Sequence, residues 1–285
     1  MKLLTILIPI KDKEKERIDK CLSYLKKAIQ IEKDCVDIFL LDYGSKEPIY
    51  RNDVEVISYK ADEWNKYHCL NLGIKDIETE YVMTLDVDMI MTKEIFSEVI
   101  SNLQDKNFIV DTNVRKIDIK EIDIDKSLPW NENKNQYLTS TVGGMQVFSK
   151  NFWKEVGGYC ESFGKEWGCG DIYFFTMARM NGLTTIDISS PFLHMSHIGT
   201  EKNLTDEEKN LLNEWIHYKS RYIDFMCKSG IKRNCDSYIC KKEPCLDIYN
   251  IFLVQLKDRP KVLRNAFLKG EKQVKYMLET YQLIK

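Results

Sequence analysis

The chain has 285 residues, 44% hydrophobic and 30% charged, with a formal net charge of −2. That length holds one large α/β domain, or one domain with a helical appendage. The near-neutral balance excludes nucleic acid as a partner recognised through bulk charge, and no run approaches the roughly 18 apolar residues of a membrane span.

The elements follow in chain order. The first residues place a Lys before a short apolar run, but the run ends at Pro9 and passes into charge with no small-residue cleavage site. It therefore reads as a first strand over 3–10, buried on both faces, and not as a secretory signal. Ile18, Cys21, Leu22, Leu25, Ala28 and Ile29 recur at helical spacing. A second buried strand over 36–41 runs into the turn residues Asp42, Tyr43, Gly44 and Ser45. A short strand covers 54–57, a helix 64–77, and a fourth strand 81–85, which ends on Asp86-Val87-Asp88. Alternating strands and helices predict a mostly parallel sheet. In such sheets ligands bind beyond the carboxyl ends of the strands, so the groups Lys11-Asp12-Lys13, Asp42–Ser45 and Asp86–Asp88 are expected to meet on one sheet edge.

Beyond this point the pattern weakens. Residues 105–140 are charged and poorly periodic, which predicts extra strands and a mobile loop. Residues 143–191 are rich in Gly and aromatics. From Leu204 onward an apolar stripe (Leu211, Leu212, Trp215, Ile216, Tyr222, Ile223, Met226) predicts helix. The nine cysteines are odd in number and scattered, which predicts reduced thiols in a cytoplasmic compartment. Cys227, Cys235, Cys240 and Cys245 cluster without a CxxC pair, so they read as free thiols and not as zinc ligands.

Three groups of residues carry chemistry. In extended backbone Asp86 and Asp88 would face one side together, and hard oxygen ligands of this kind suit Mn²⁺ or Mg²⁺ shared with a diphosphate. The apolar strand running into them argues against a solvated turn, because unpaired carboxylates at a buried strand end are expensive. His194-Met195-Ser196-His197 offers imidazole ligands for the same ion. In the glycine-lined stretch 158–179, which contains Trp167 and can approach a sugar closely, Asp171 opens a helix over 172–180. Its two readings are an N-cap and a general base for an acceptor hydroxyl, with the base favoured.

These motifs carry a resemblance. IPIKDK, LDYGS, WNKYHCLNLGI, MTLDVDMIM, GGMQVFSKNFWKEVGGY and EWGCGD, in this order over roughly 3–200, resemble GT-A glycosyltransferases of the family-2 type. The group they resemble has a C-terminal segment like that of β-1,4-galactosyltransferases and chondroitin polymerases. The resemblance implies a GT-A catalytic domain over 1–203, with a nucleotide-binding half 1–100 and an acceptor half 101–203, followed by a helical extension over 204–285. It implies that Pro9, Lys11 and Lys13 contact the nucleotide, that Asp42 binds base or ribose, and that Trp64 and Lys66 lie beside the uracil. Asp86 looks like the ribose- or sugar-side carboxylate and Asp88 like the direct metal ligand. Gly143 and Gly144 look like the Gly-Gly pair at the mobile-loop end of the donor site, and Trp167 resembles the aromatic between donor and acceptor. Asp171 matches the catalytic base, His197 the metal-binding His, and His194 a position where the family places a Met ligand.

The implied reaction is Mn²⁺- or Mg²⁺-dependent, inverting transfer of a hexose or N-acetylhexosamine from a UDP-sugar to a glycan or lipid-linked acceptor, in surface polysaccharide synthesis. The sequence departs from the family's acidic run after Trp-Gly, where Gly170 precedes Asp171, and this leaves a catalytically weak nucleotide-sugar-binding protein as an alternative. A nucleotidyltransferase on a related fold is disfavoured by the glycine-free first loop. Lacking a signal anchor and disulfides, the chain looks like a bacterial-type enzyme on the cytoplasmic side. Basic residues interleaved with apolar ones after 256 fit peripheral contact with an anionic membrane, or a solvated helix face packed on the core, with the solvated face favoured.

Overall fold

In a computed structural model, the structure describes residues 2–13, 15–30, 33–111, 114–123, 137–138, 143–159, 161, 171, 174–175, 177–178, 181–190, 192–195, 232–234 and 237–239. The chain divides into two compact units, Met1–Lys165 with Leu183–His197, and Glu166–Gly182 with Ile198–Lys285.

The first unit begins with β1 (Leu4–Ile10), whose seven residues are all buried. The helix α1 (Lys15–Ala28) follows, then β2 (Val36–Tyr43), β3 (Glu55–Tyr59), α2 (Lys66–Asp76) and β4 (Tyr81–Leu85). Next come β5 (Met89–Ile90), α3 (Lys93–Ser101), β6 (Asn107–Asp111), β7 (Val114–Ile117), β8 (Tyr137–Leu138), β9 (Met145–Ser149), α4 (Lys150–Val156), β10 (Thr184–Ile188) and β11 (Phe192–Met195). Seven of these strands form one sheet in the order β10-β6-β9-β4-β1-β2-β3. It is parallel throughout except at β9, which runs antiparallel to both β4 and β6. The strands β5, β11, β7 and β8 make a smaller sheet.

The strand order reverses between β1, which leads to β2 and β3 on one side, and β4, which pairs β1 on the other. Parallel sheets open a crevice at such a point. Both faces of β1 are covered, as its unbroken apolar run predicts. On one face Leu4, Ile6, Ile8 and Ile10 join Ile18, Cys21, Leu22 and Leu25 of α1 and Met83 and Leu85 of β4 in one core. Burial of each large aliphatic side chain contributes about 1.5–3 kcal/mol. On the other face α2 packs on β1 and β2. It comes so close that a Cβ on Gly73 would lie 2.6 Å from Leu41 Cδ1.

The helix over 64–77 begins later than its apolar pattern suggests. Asn65 is extended (φ −143°, ψ 98°), and its side chain accepts the His68 N–H. An Asn N-cap of this kind fixes where a helix starts, and it leaves Trp64 outside the helix. The poorly periodic middle does hold strands, β6 to β8. The expected mobile loop falls mostly outside the described residues, as do Trp167, His197 and the four clustered C-terminal cysteines.

In the second unit Asp171 is helical and partly buried, and Phe174, Met177 and Ala178 are buried. Asn181 closes this helical stretch by donating its backbone N–H and its side-chain Nδ2 to the Met177 carbonyl, at 3.0 and 2.7 Å. The segment expected to be a helical extension contributes, among the described residues, one antiparallel ladder of β12 (Lys232–Asn234) and β13 (Ser237–Ile239). No helix among the described residues is long and apolar enough to cross a membrane.

Candidate functional site

The loops after β1, β2 and β4 meet at the carboxyl edge of the large sheet, because the strands are parallel and in register, with Ile10 opposite Asp42 and Leu7 opposite Thr84. The first two loops are tied together by Asp12. Its N–H donates to Ser45 Oγ (2.9 Å), and its Oδ1 accepts the Lys46 N–H (2.8 Å). Asp12 sits at φ 47°, a left-handed conformation that Asp tolerates better than most residues. Lys11 Nζ reaches the Asp62 carbonyl at 3.2 Å. Pro9 is buried within β1, and Lys13 is exposed.

Asp42 is 3% exposed and lies within β2. Its two oxygens accept the N–H groups of Ser45 and Ile49, each at 3.3 Å. This carboxylate therefore organises the loop that follows it. Beside it, Tyr43 meets Trp64 edge-on at 6.1 Å, His68 edge-on at 5.6 Å and Tyr59 at 6.4 Å between ring centroids. The Tyr43 hydroxyl and His68 Nδ1 share a short hydrogen bond. Sequence reasoning placed Trp64 here and put Tyr43 at this edge within Asp42–Ser45, but singled out neither Tyr59 of β3 nor His68 of α2.

At the end of β4 the geometry corrects one expectation. Asp86-Val87-Asp88 is not extended. It is a turn, closed by a hydrogen bond from the Met89 N–H to the Asp86 carbonyl (3.0 Å), and it reverses the chain into β5. A turn does not hold alternate residues on one side, and the two carboxylates engage different partners. Asp86 Oδ1 is 2.5 Å from Lys66 Nζ. Asp88 lies against β11: its carbonyl accepts the Met195 N–H at 2.7 Å, and its Oδ2 is 3.5 Å from His194 Nε2. The Asp88 and His194 side chains are only 13% and 20% exposed. Arg17, buried in α1, donates to the Met195 carbonyl at 3.2 Å and secures the end of β11. Cys21, fully buried in α1, has its thiol pushed up by burial and then by the charges of Asp88 and Asp86. It is inert structural filling behind the turn.

The remaining wall is the Gly143-Gly144 turn. The Asp86 N–H donates to the Gly144 carbonyl (2.8 Å), and Lys66 Nζ donates to the Gly143 carbonyl (3.3 Å). A Cβ on Gly144 would lie 2.7 Å from Met89 Cε and 2.8 Å from Asp111 Oδ2, so a side chain there would have to displace these two side chains. Asp111, fully buried at the end of β6, accepts the Met145 N–H at 2.9 Å. Nothing in the sequence pattern singled out Asp111.

The polar face of α2 also holds the chain that leads into the Trp167 segment. Asn71 Nδ2 donates to the Tyr159 carbonyl (2.8 Å) and to Glu161 Oε1 (3.0 Å), and its Oδ1 accepts from the Tyr159 N–H (2.9 Å) and Trp153 Nε1 (3.1 Å). Asn65 Nδ2 donates to the Glu161 carbonyl (2.9 Å).

Among the described residues no group of three or more His, Cys, Asp and Glu could hold a metal ion. The donors that do meet, a carboxylate and an imidazole at the end of a buried strand, nevertheless suit a divalent cation of the Mn²⁺ type that draws further oxygen ligands from a bound diphosphate.

A scan of protein-family models finds no match to the chain, and no curated protein matches it by sequence. Its likeness to known proteins is structural. Residues 1–349 of S. aureus TarS match with a TM-score of 0.52 and 13% identity, over 97% of this chain and 72% of that one. The same fragment in complex with UDP-GlcNAc matches equally. GalNAc-T7 with UDP, GalNAc and Mn²⁺ matches with a TM-score of 0.50 and 13% identity, over 69% of this chain and 44% of that one. The catalytic domain of Drosophila β1,4-galactosyltransferase 7 in complex with xylobiose has a TM-score of 0.47 at 15% identity, over 69% and 72% of the two chains. The chain has the GT-A fold of such glycosyltransferases.

Proposed function

We propose that the protein is a UDP-sugar-dependent glycosyltransferase that uses a divalent cation and transfers a hexose or N-acetylhexosamine, with inversion, to a glycan or lipid-linked acceptor hydroxyl. The observation that carries this reading is the meeting of Asp88 with His194 at the carboxyl end of β4, beside the switch point of the sheet. That is where a parallel sheet binds a nucleotide. The complexes of similarly folded proteins with UDP-GlcNAc, and with UDP, GalNAc and Mn²⁺, point the same way.

In this reading Tyr43, Trp64 and His68 form the wall for the nucleobase, and Asp42 and Asp12 hold the two loops that frame it. Asp86 faces ribose or sugar hydroxyls, and Gly144 lets the backbone close on the donor. Asp88 and His194, with His197, would hold the cation, which neutralises charge on the departing diphosphate when bound. Asp171 takes the proton from the acceptor hydroxyl as that oxygen attacks the anomeric carbon, a general-base role worth about 10²–10⁴-fold. By the resemblance, Trp167 would contribute an aromatic face to the sugar.

The test is a screen of UDP-sugars for Mn²⁺-dependent hydrolysis and transfer with the purified chain. Turnover should disappear with EDTA, and Asp88→Asn should lower it by about 100-fold or more, as loss of a charge-stabilising group does. Asp171→Asn should abolish transfer while UDP still binds. Wild-type turnover in EDTA would overturn the metal reading, and wild-type transfer by Asp171→Asn would overturn the base.

A further inference from the structure

We propose that Lys66 is a positioning residue that keeps Asp86 away from the divalent cation, so that the Asp-Val-Asp turn offers the ion one carboxylate instead of two. This rests on the metal-dependent reading above and goes beyond it. Lys66 is the first residue of α2, where the positive end of the helix dipole disfavours a cation. Its ammonium is held there by two local acceptors, Asp86 Oδ1 at 2.5 Å and the Gly143 carbonyl at 3.3 Å. The Lys66 side chain is 20% exposed and that of Asp86 34%, so the pair is partly shielded from water and salt. Asp86 is fixed on its backbone as well, its N–H on the Gly144 carbonyl and its C=O on the Met89 N–H. Asp88, two residues on, is directed at His194.

The consequence is electrostatic. Two carboxylates of one short turn, both anionic, would together bind a divalent ion tightly. An ammonium on one of them removes that charge and repels the incoming cation. The site is thereby set to a moderate affinity, completed by the diphosphate, and the ion is free to leave with it. The same ammonium fastens the Gly143-Gly144 turn to the Asp86 turn, so donor closure and the choice of metal ligand share one side chain.

The experiment titrates Mn²⁺ into the full-length protein with saturating UDP, counting free Mn²⁺ by electron paramagnetic resonance. Lys66→Met keeps the aliphatic stem and removes the charge. It should bind Mn²⁺ about tenfold tighter, as expected for unmasking one carboxylate close to a divalent ion, while UDP-sugar turnover falls. Lys66→Arg should restore wild-type Mn²⁺ affinity. The double variant Lys66→Met/Asp86→Asn should return it to near the wild-type value, the coupling expected if Lys66 acts through Asp86. Lys66→Gln, which keeps a donor for the Gly143 carbonyl, should match Lys66→Met and carries the test if the latter does not fold. Equal or weaker Mn²⁺ binding by the charge-removing variants overturns the proposal alone. Failure of the wild-type protein to bind Mn²⁺ with UDP overturns the metal-dependent reading on which it rests.

Discussion

Gly44 shows how much of the sheet's carboxyl edge depends on single atoms. It lies at φ 72°, its N–H donates to the Tyr59 carbonyl, and a Cβ there would sit 2.1 Å from the Ala61 carbonyl oxygen. Both the left-handed backbone and the collision with backbone exclude a side chain. Gly44→Ala should therefore destabilise the fold by about 2–4 kcal/mol, read as a lower denaturant midpoint with little change in slope. It should also loosen the loop that Asp42 and Asp12 hold. A midpoint equal to wild type would show that the loop can shift away from Ala61 at no cost. The Gly-Ser pair after β2 was legible in the sequence as a turn. Its requirement for Gly was not, because Ala61 approaches only once β3 is paired with β2. Asp12 is a similar case: its side chain knits two loops separated by a whole helix and strand, and no local pattern encodes that. Asp88 could be singled out as a candidate because an apolar strand ran straight into it. Its partner was readable only as one of two imidazoles in a short motif.

Among elements, α1 is anchored to the far end of the sheet by an ion network. Arg51 Nε and Nη2 grip both oxygens of Asp53 at 2.7 and 3.0 Å, its Nη1 reaches Asp19 of α1 at 2.6 Å, and Lys26 of α1 meets Asp53 Oδ2 at 2.7 Å. Hydrogen bonding from Arg51, then from Lys26, holds the Asp53 carboxyl well below the usual carboxylate range. A carboxyl whose folded value is depressed stabilises the fold above its unfolded value of about 3.9, and the contribution is lost as pH falls toward the folded value. The stability gap between the wild type and Asp53→Asn should thus be constant above about pH 5 and close steadily below pH 4. The side chains are 15–39% exposed, so 1 M salt should shrink the gap at every pH. Denaturation midpoints across pH 3–7 check both trends, and a gap that widens on acidification would contradict the assignment. The amphipathic pattern of α1 was plain in the sequence. For α2 the sequence showed the helix and missed its purpose, since its apolar spacing says nothing of Asn65 and Asn71, which hold the backbone around Tyr159 and Glu161, or of Lys66, which holds the Gly143 carbonyl. The strand alternation used for Asp86 and Asp88 failed for a physical reason. The chain has to reverse there to deliver β5 to the smaller sheet, and a turn follows different geometry from a strand.

At the scale of the whole molecule, the parallel sheet was readable because strands buried on both faces are predominantly apolar, as the fully buried β1 and β4 are. The one antiparallel strand, β9, was not, because direction within a sheet is set by the connections around it and leaves no mark on the strand's own composition. The sheet's switch point makes a thermodynamic prediction that does not depend on knowing the sugar. If the first unit binds UDP together with a divalent ion, ligand binding adds to the free energy of unfolding in proportion to the logarithm of concentration over affinity. At about 100 times the dissociation constant this is about 2.7 kcal/mol, which for a domain of this size raises the melting temperature by roughly 5–10 °C. UDP alone should give much less, since the diphosphate would then sit beside Asp86 and Asp88 with its charge uncompensated. Mn²⁺ alone should also give little, because Asp88 and His194 supply too few donors to hold it without the phosphates. A thermal-shift matrix of UDP against Mn²⁺ should therefore show a joint effect larger than the sum of the two separate ones, and Asp88→Asn should abolish that excess. Strictly additive shifts would mean that nucleotide and cation do not share a site, and the placement of the diphosphate at the end of β4 would have to be given up.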